Sequence, residues 1–391
     1  MQAWAMTVPT DRLVHWVQQL VRIPSVNPMQ TGPKALAAGP IGERALALSV
    51  ADWFAGLAGD VELQDIEGER PNVYGFFHGR TERLVVLDVH TDTVTVEHMT
   101  DPPFDGRVQD GKIWGRGSVD TKASLGVILA LLESWRTNGL KPEPTLLVVG
   151  SVSEEQGGLI GAVGFRAWAE ARGLSIDQLI VSEPTMGCPI YGHKGGVGFE
   201  VTVHGEAAHS AMPHLGRSAI LAAARAILAL EEEHQRLQSE PAPTEVGAGS
   251  INVGLINGGT GGNVVPDRCT FNLGRRVTPG EDPVAIAAAL RELVAQAVAP
   301  CTVDMVQMNE GSSGFYQPPD SGLVQTLAAA AGTAATTAPY GTNAIKYPGL
   351  ASELVVFGPG SIERAHKATE WVGIDELEQC ARAFEAWLQP R

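Results

Sequence analysis

The sequence predicts an α/β protein: a mixed, mostly parallel sheet domain with an inserted α+β domain of four antiparallel strands and two helices. Three observations carry this. In the first half, apolar runs of strand length alternate with helical periodicity, the mark of a sheet buried on both faces. Near "GHKGGVG" (192–198) the strands become half-exposed and alternate polar with apolar residues. Toward the C-terminus the first pattern returns, so the middle portion interrupts a larger unit.

Each element has its own signal. "TDRLVHWVQQLVRI" has amphipathic spacing, with Thr10 as the expected N-cap. "RLVVLDVH" (83–90), "TLLVVGSV" (145–152) and "QLIVSEP" (178–184) read as strands. Between them, 121–139 and 161–173 read as helices, the first stopped by Gly139. "FEVTVHG", "SINVGLING" and "CTFNLGRRV" alternate, and helices are expected at 218–237 and 283–299. A helix at 321–335, the strand "LVVFGPG" (354–360) and a helix at 374–388 complete the chain. The expected division is 1–195 and 309–391 for the larger domain and 196–308 for the insert.

Composition narrows the function. The chain has 391 residues, 44% of them hydrophobic and only 18% charged, so it folds around a sizeable core. A net charge of −16 without a Lys/Arg cluster argues against nucleic acid and anionic membranes as partners. Four dispersed cysteines make no C-x-x-C pair and suit a reducing compartment. No apolar run reaches the ~18 residues of a membrane span. A cytoplasmic protein is expected. The leading "MQAWA" before Met6 reads either as an extension or as an upstream start.

Ligands of open α/β sheets lie beyond the carboxyl ends of the strands. His90 and Asp92 stand at one such end, Glu154 and Glu155 at the next, and Glu183 at the third. Asp120 precedes a helix, and His366 follows the late apolar strand. Singly, each has a bland reading: a satisfied strand-end histidine, a helix cap, a solvated turn. Together, two histidines and five carboxylates at one sheet edge would repel strongly unless cations neutralised them. No row of arginines is at hand. A histidine and carboxylate set suits zinc, with cobalt or manganese as substitutes, and the inventory is large enough for two ions. The paired glutamates are expected to point to opposite sides of an extended segment.

These residues also carry a resemblance. "VVLDVHTDTV", "GRGSVDTKASL", "SEEQGG", "VSEPT", "GEAAHSAMPHLGRSAI", "GGNVVP" and "FGPGSIERAHKATE" resemble the co-catalytic metallopeptidase and deacylase superfamily. It includes acetylornithine deacetylase, succinyl-diaminopimelate desuccinylase, aminoacylase-1 and carboxypeptidase G. The resemblance spans nearly the whole chain. It implies that His90 and Glu183 hold one divalent ion and Glu155 and His366 the other, with Asp120 bridging. It implies a cis peptide after Asp120, Asp92 as the group that orients His90, and Glu154 as general base toward an activated water. The inserted domain would mediate a homodimer, and its His209 would stabilise the oxyanion in the other subunit. Asn263 and Arg276 would bind substrate, the arginine through a carboxylate. Asn343 is read as a further substrate contact.

Two positions depart from the acetylornithine-like pattern. Gly274 in "GRRVTPG" replaces an acid, and "GTNAIKY" has Asn343 and Lys346 in place of an acidic late loop. These weigh against a substrate with a free cationic side chain, whereas "FGPGSIERAHK" stays closest to the acetylornithine deacetylase group. The leading expectation is a di-metal hydrolase of N-acyl amino acids. A carboxypeptidase or dipeptidase with the same chemistry is the alternative. A non-catalytic binding protein is disfavoured because no ligand and no base is missing. His98, His193, His204 and His234 are read as structural, and His214 as loop support.

Overall fold

The computed structural model describes residues 8–242 and 244–390. The leading "MQAWA" lies outside them. The chain forms two compact units. The larger contains residues up to Tyr191, Gln317–Thr336 and the stretch from Thr342 onward; the smaller contains Gly192–Tyr316 and Thr337–Gly341. The smaller unit thus takes in more than 196–308. Ser312 bridges to Gly196, and Phe315–Tyr316 pairs with 192–193, which ties the return segment to it.

In the larger unit the four central strands are parallel. Leu84–His90 lies between Thr145–Ser151 and Ile176–Val181, and Ala351–Val356 pairs with the latter. Leu84–His90 is buried along its whole length, which explains its continuous apolar run. On the far side of Thr145–Ser151 an antiparallel hairpin extends the sheet, Asp60–Glu67 and Arg70–Phe77. Its outer strand alternates exposed and half-buried residues, as an edge strand does.

The helix Lys122–Thr137 is buried on nearly every side, and the helices Thr10–Val21 and Ile374–Leu388 pack against it. The first helix starts one residue earlier than a Thr10 cap would allow. Pro9 is the extended N-cap, and the Thr10 hydroxyl donates to Glu378 Oε1 at 2.5 Å instead.

The smaller unit is a four-stranded antiparallel sheet in the order Ser250–Gly258, Arg268–Val277, Gly195–His204, Thr302–Gln307. Helices Ala219–Ser239 and Pro283–Val298 cover one face. Its core joins Phe199, Val201 and Phe271 of the sheet to Ala222, Ala226 and Leu290 of the helices.

One close approach sets up the strand end that matters most. A Cβ on Gly161 would lie 2.3 Å from Val152 O and 2.4 Å from Val152 N. Asn72 closes this junction, donating to Gly161 O at 2.8 Å and accepting from Val152 N at 3.1 Å. Gly161→Ala is expected to lower stability by about 1–3 kcal/mol through overpacking. A urea midpoint equal to wild type would show that the helix yields freely there.

Candidate metal centre

Parallel register brings the strand ends level. His90 pairs with Ser151 and Asp88 with Val181, so Glu154, Glu155 and Glu183 all emerge beside His90. Asp120 arrives from the loop before the helix Lys122–Thr137, and the Asp120–Thr121 peptide is cis. His366 comes from a loop after Ile362–Arg364 and has a left-handed φ of 61°.

The side chains converge. Asp120 Oδ1 is 3.1 Å from His90 Nε2, and its Oδ2 is 3.2 Å from His366 Nε2. One carboxylate therefore offers an oxygen to each histidine. His366 Nε2 is also 2.9 Å from Glu155 Oε2. Donor atoms of His90, Asp120 and Glu155 lie within 4.8 Å of one another, as do those of His90, Glu154 and Glu183. His90 thus belongs to two overlapping donor sets.

The glutamate pair is not extended. Ser153 has φ 65°, and the chain bends through 154–155. Alternation along a strand does not separate the two side chains; Asp92 does. Its Oδ1 accepts from Glu154 N and its Oδ2 from Glu155 N, each at 3.0 Å. The Nδ1 of His90 lies 3.0 Å from the Asp92 carbonyl and 3.5 Å from Oδ1, which turns Nε2 toward the centre. Buried Asn27 braces Asp92, donating from Nδ2 to Asp92 Oδ2 and to Gln156 O, both at 2.8 Å. Glu43, paired with Arg70 at 2.6 Å, accepts from Ser153 N at 3.3 Å. Sequence reasoning missed Asn27, Glu43 and Arg70. Only proximity in the fold reveals them, since none sits at the carboxyl end of a strand.

Electrostatics fit a cation site. Burial pushes Glu154 up to about 8, against the pull of His90 and with the push of Glu155 and Asp92. Burial and then Asp120 push Glu155 up to about 7. Glu183 is raised well above the carboxylate range, by burial and then by Glu154. Burial alone would lower His90, but hydrogen bonds to Asp120 and Asp92 raise it well above its usual value. Hydrogen bonds to Asp120 and Glu155 lift His366 to about 10. Among the described residues, Glu183 Oε1 is buried with no hydrogen-bond partner. An orphaned carboxylate oxygen beside imidazole and further carboxylates is the donor chemistry a zinc-like ion requires.

Residues 86–389 match the model of peptidase family M20/M25/M40. The chain belongs to that family. It is accordingly a hydrolase of amide bonds, of the metallopeptidase and deacetylase kind. It is 32% identical over 312 residues to the acetylornithine deacetylase of Myxococcus xanthus, covering 77% of this chain and 78% of that one. It is also 32% identical to a probable carboxypeptidase of Neosartorya fischeri, over 78% of this chain and 69% of the relative. An M20 family metallo-carboxypeptidase of Sulfolobus solfataricus has the same fold, with a TM-score of 0.76 at 17% identity over 97% of this chain and 99% of that one.

The remaining site residues lie elsewhere. His209, Asn263 and Arg276 belong to the smaller unit and are exposed. There His209 pairs with Val264, and Ser210 N donates to Asn263 O at 3.0 Å, so these two are neighbours. His209 Nδ1 accepts from Ala211 N at 3.0 Å, which leaves Nε2 to carry the proton in the neutral ring. Asn343 belongs to the larger unit. It is buried, with Nδ2 donating to Asp88 Oδ2 at 3.1 Å and to Ser151 Oγ at 3.0 Å. It ties the late loop to the sheet through Asp88 and Ser151, while its Oδ1 is buried with no hydrogen-bond partner among the described residues. Its buried position reflects the polar partners there: Asp88, which Tyr347 also meets at 2.7 Å, needs neutral donors. The histidines read as structural include His193, buried beside Phe315, and His204, 2.8 Å from Asp304.

A pH dependence follows. Protons on Glu155 and His366, near 7 and 10, compete with a cation for the same atoms. Zinc affinity should rise with pH across this range and fall as acid refills the sites. Calorimetry in buffers of different ionisation enthalpy should detect proton release on binding. Binding independent of pH between 6 and 9 would contradict the assignment of these groups.

Proposed function

We propose that this enzyme removes the acyl group from a small N-acyl amino acid. The observation that supports it most is Asp120, with one oxygen at His90 and the other at His366. His90 and Glu183 would hold one divalent ion and Glu155 and His366 the other, with Asp120 between. Zinc is the natural occupant of these donors; cobalt or manganese would substitute. Bound there, the ions supply Lewis acidity to the amide carbonyl and to the attacking water.

The chain's own residues do the rest. Glu154, raised to about 8 and partly exposed, accepts a proton from water and returns it to the leaving amine. Asp92 holds His90 in orientation and fixes the backbone that carries Glu154. His209, with its Nε2 proton free, donates to the oxyanion. Asn263 and Arg276 receive the amino-acid carboxylate. Gly274, exposed where an acid would meet a cationic side chain, favours a neutral or acidic amino acid.

A homodimer through the smaller unit belongs to this reading. Ser250–Gly258 is an edge strand with Leu255 and Ile256 exposed, and the helix that packs on it exposes Leu221 and Leu228. Unpaired strand edges and apolar patches of this kind invite a second copy. We place the enzyme in the cytoplasm, where its four free thiols persist. Among the described residues no helix is long and apolar enough to cross a membrane. The carboxypeptidase relative supports a second reading, cleavage of a short peptide by the same groups.

Glu154→Gln should keep both ions yet lose ~10²–10⁴-fold in turnover, whereas Glu155→Gln should lose metal. Elemental analysis and amine release from N-acyl amino acids and dipeptides test this, and the panel also separates deacylase from peptidase. Reversed behaviour of the two variants would exchange their roles.

His209→Ala should leave metal content intact and cut turnover by ~10²–10³-fold, the loss of one oxyanion donor. In a doubly tagged heterodimer of His209→Ala and Glu154→Gln subunits, one site regains both groups, and activity should return at that site. No recovery would place His209 in its own subunit or outside the reaction.

A further inference from the structure

A second buried ion pair stands beside the centre, and no role falls to it above. Arg116 Nη1 lies 2.5 Å from Glu370 Oε2, and both side chains are almost fully enclosed. The two are 254 positions apart in sequence. Glu370 Oε1 accepts from two backbone amides, Val119 N at 3.0 Å and Asp120 N at 3.3 Å. Arg116 spends its remaining donors on backbone carbonyls. Nε and Nη2 reach Thr95 O at 3.2 and 3.0 Å, and Nη2 reaches Lys367 O at 3.3 Å. Three segments therefore meet on one pair: the chain just past Asp92, the Asp120 loop, and the loop that carries His366.

This carboxylate is costly where it stands. It is buried, and it lies near Asp120, a like charge. A neutral side chain of the same size would avoid both penalties, so a buried pair is weak evidence for stability. What it does provide is position. Asp120 and His366 have short side chains, so their donor atoms follow the backbone closely, and metal distances tolerate only about ±0.2 Å. His90 needs no such strap because it ends a paired strand. His366 lies on a loop with a half-exposed side chain, fastened by Lys367 O to Arg116 and by Thr100 N to Ala368 O at 3.2 Å.

We propose that Arg116 and Glu370 are positioning residues that hold the His366 loop in place against Asp120, and so govern chiefly the ion that His366 would bind. This rests on the two-ion reading above.

The test is zinc occupancy of wild type and Glu370→Gln in buffers of defined free zinc, with cobalt absorption as a second readout and thermal unfolding recorded in parallel. Wild type should bind two ions; failure there would sink the two-ion reading itself, and with it the premise of this one. Glu370→Gln should weaken one binding step ~10–100-fold, the range for groups behind metal ligands, and leave the other near wild type. Arg116→Lys keeps a cation for Glu370 but cannot fork to Thr95 and Lys367 at once, so it should show the same one-sided loss. Wild-type occupancy of both sites in a folded variant would overturn the proposal, as would equal weakening of both. Failure of Arg116→Lys to fold would also overturn it, because the pair would then hold the fold and not the centre.

Discussion

Repulsion among carboxylates is the constraint on which this protein is built. Asp92, Asp120, Glu154, Glu155, Glu183 and Glu370 crowd one edge of a buried sheet, where His90, His366, Arg70 and Arg116 stand among them. In a low-dielectric surround such a cluster is unstable as anions. The protein answers with backbone amides aimed at Asp92 and Glu370 and with donor sets arranged for divalent ions. Strand register supplies the crowding, since three parallel strands end at the same level. Backbone hydrogen bonds then decide which carboxylate faces which neighbour.

Much of this was legible in the sequence because parallel strands buried on both faces write themselves as apolar runs. Where such a run stops, a polar residue must stand at the sheet edge, so His90, Glu154, Glu155 and Glu183 could be picked out without coordinates. The antiparallel hairpin Asp60–Glu67 and Arg70–Phe77 was not legible. Its outer strand is mostly polar and its inner one begins with Arg-Pro-Asn, so neither shows a clean period. The bend at Ser153 was likewise hidden, because a left-handed serine leaves no mark on hydrophobic patterning.

Asn343 shows a different limit. A polar residue in a late loop reads as a surface contact when its partners are unknown. Its partners are Asp88 and Ser151, inside the sheet, and burial of Asp88 creates the demand for a donor that Asn343 meets. Asn27, Glu43, Arg70, Arg116 and Glu370 were missed for the same reason. Their value lies in what they touch across tens or hundreds of positions, and one sequence holds no record of that. No row of arginines is present, as read; Arg70 and Arg116 instead arrive singly from distant segments.

The hold that Asp92 has on three groups limits how this centre can change. One carboxylate faces the His90 ring and bonds the amides of Glu154 and Glu155. Any replacement that altered the basicity of the histidine would also move the two glutamates. In the proposed reaction, affinity for the ion and placement of the proton acceptor are therefore not independent traits, and selection at position 92 cannot adjust one while sparing the other.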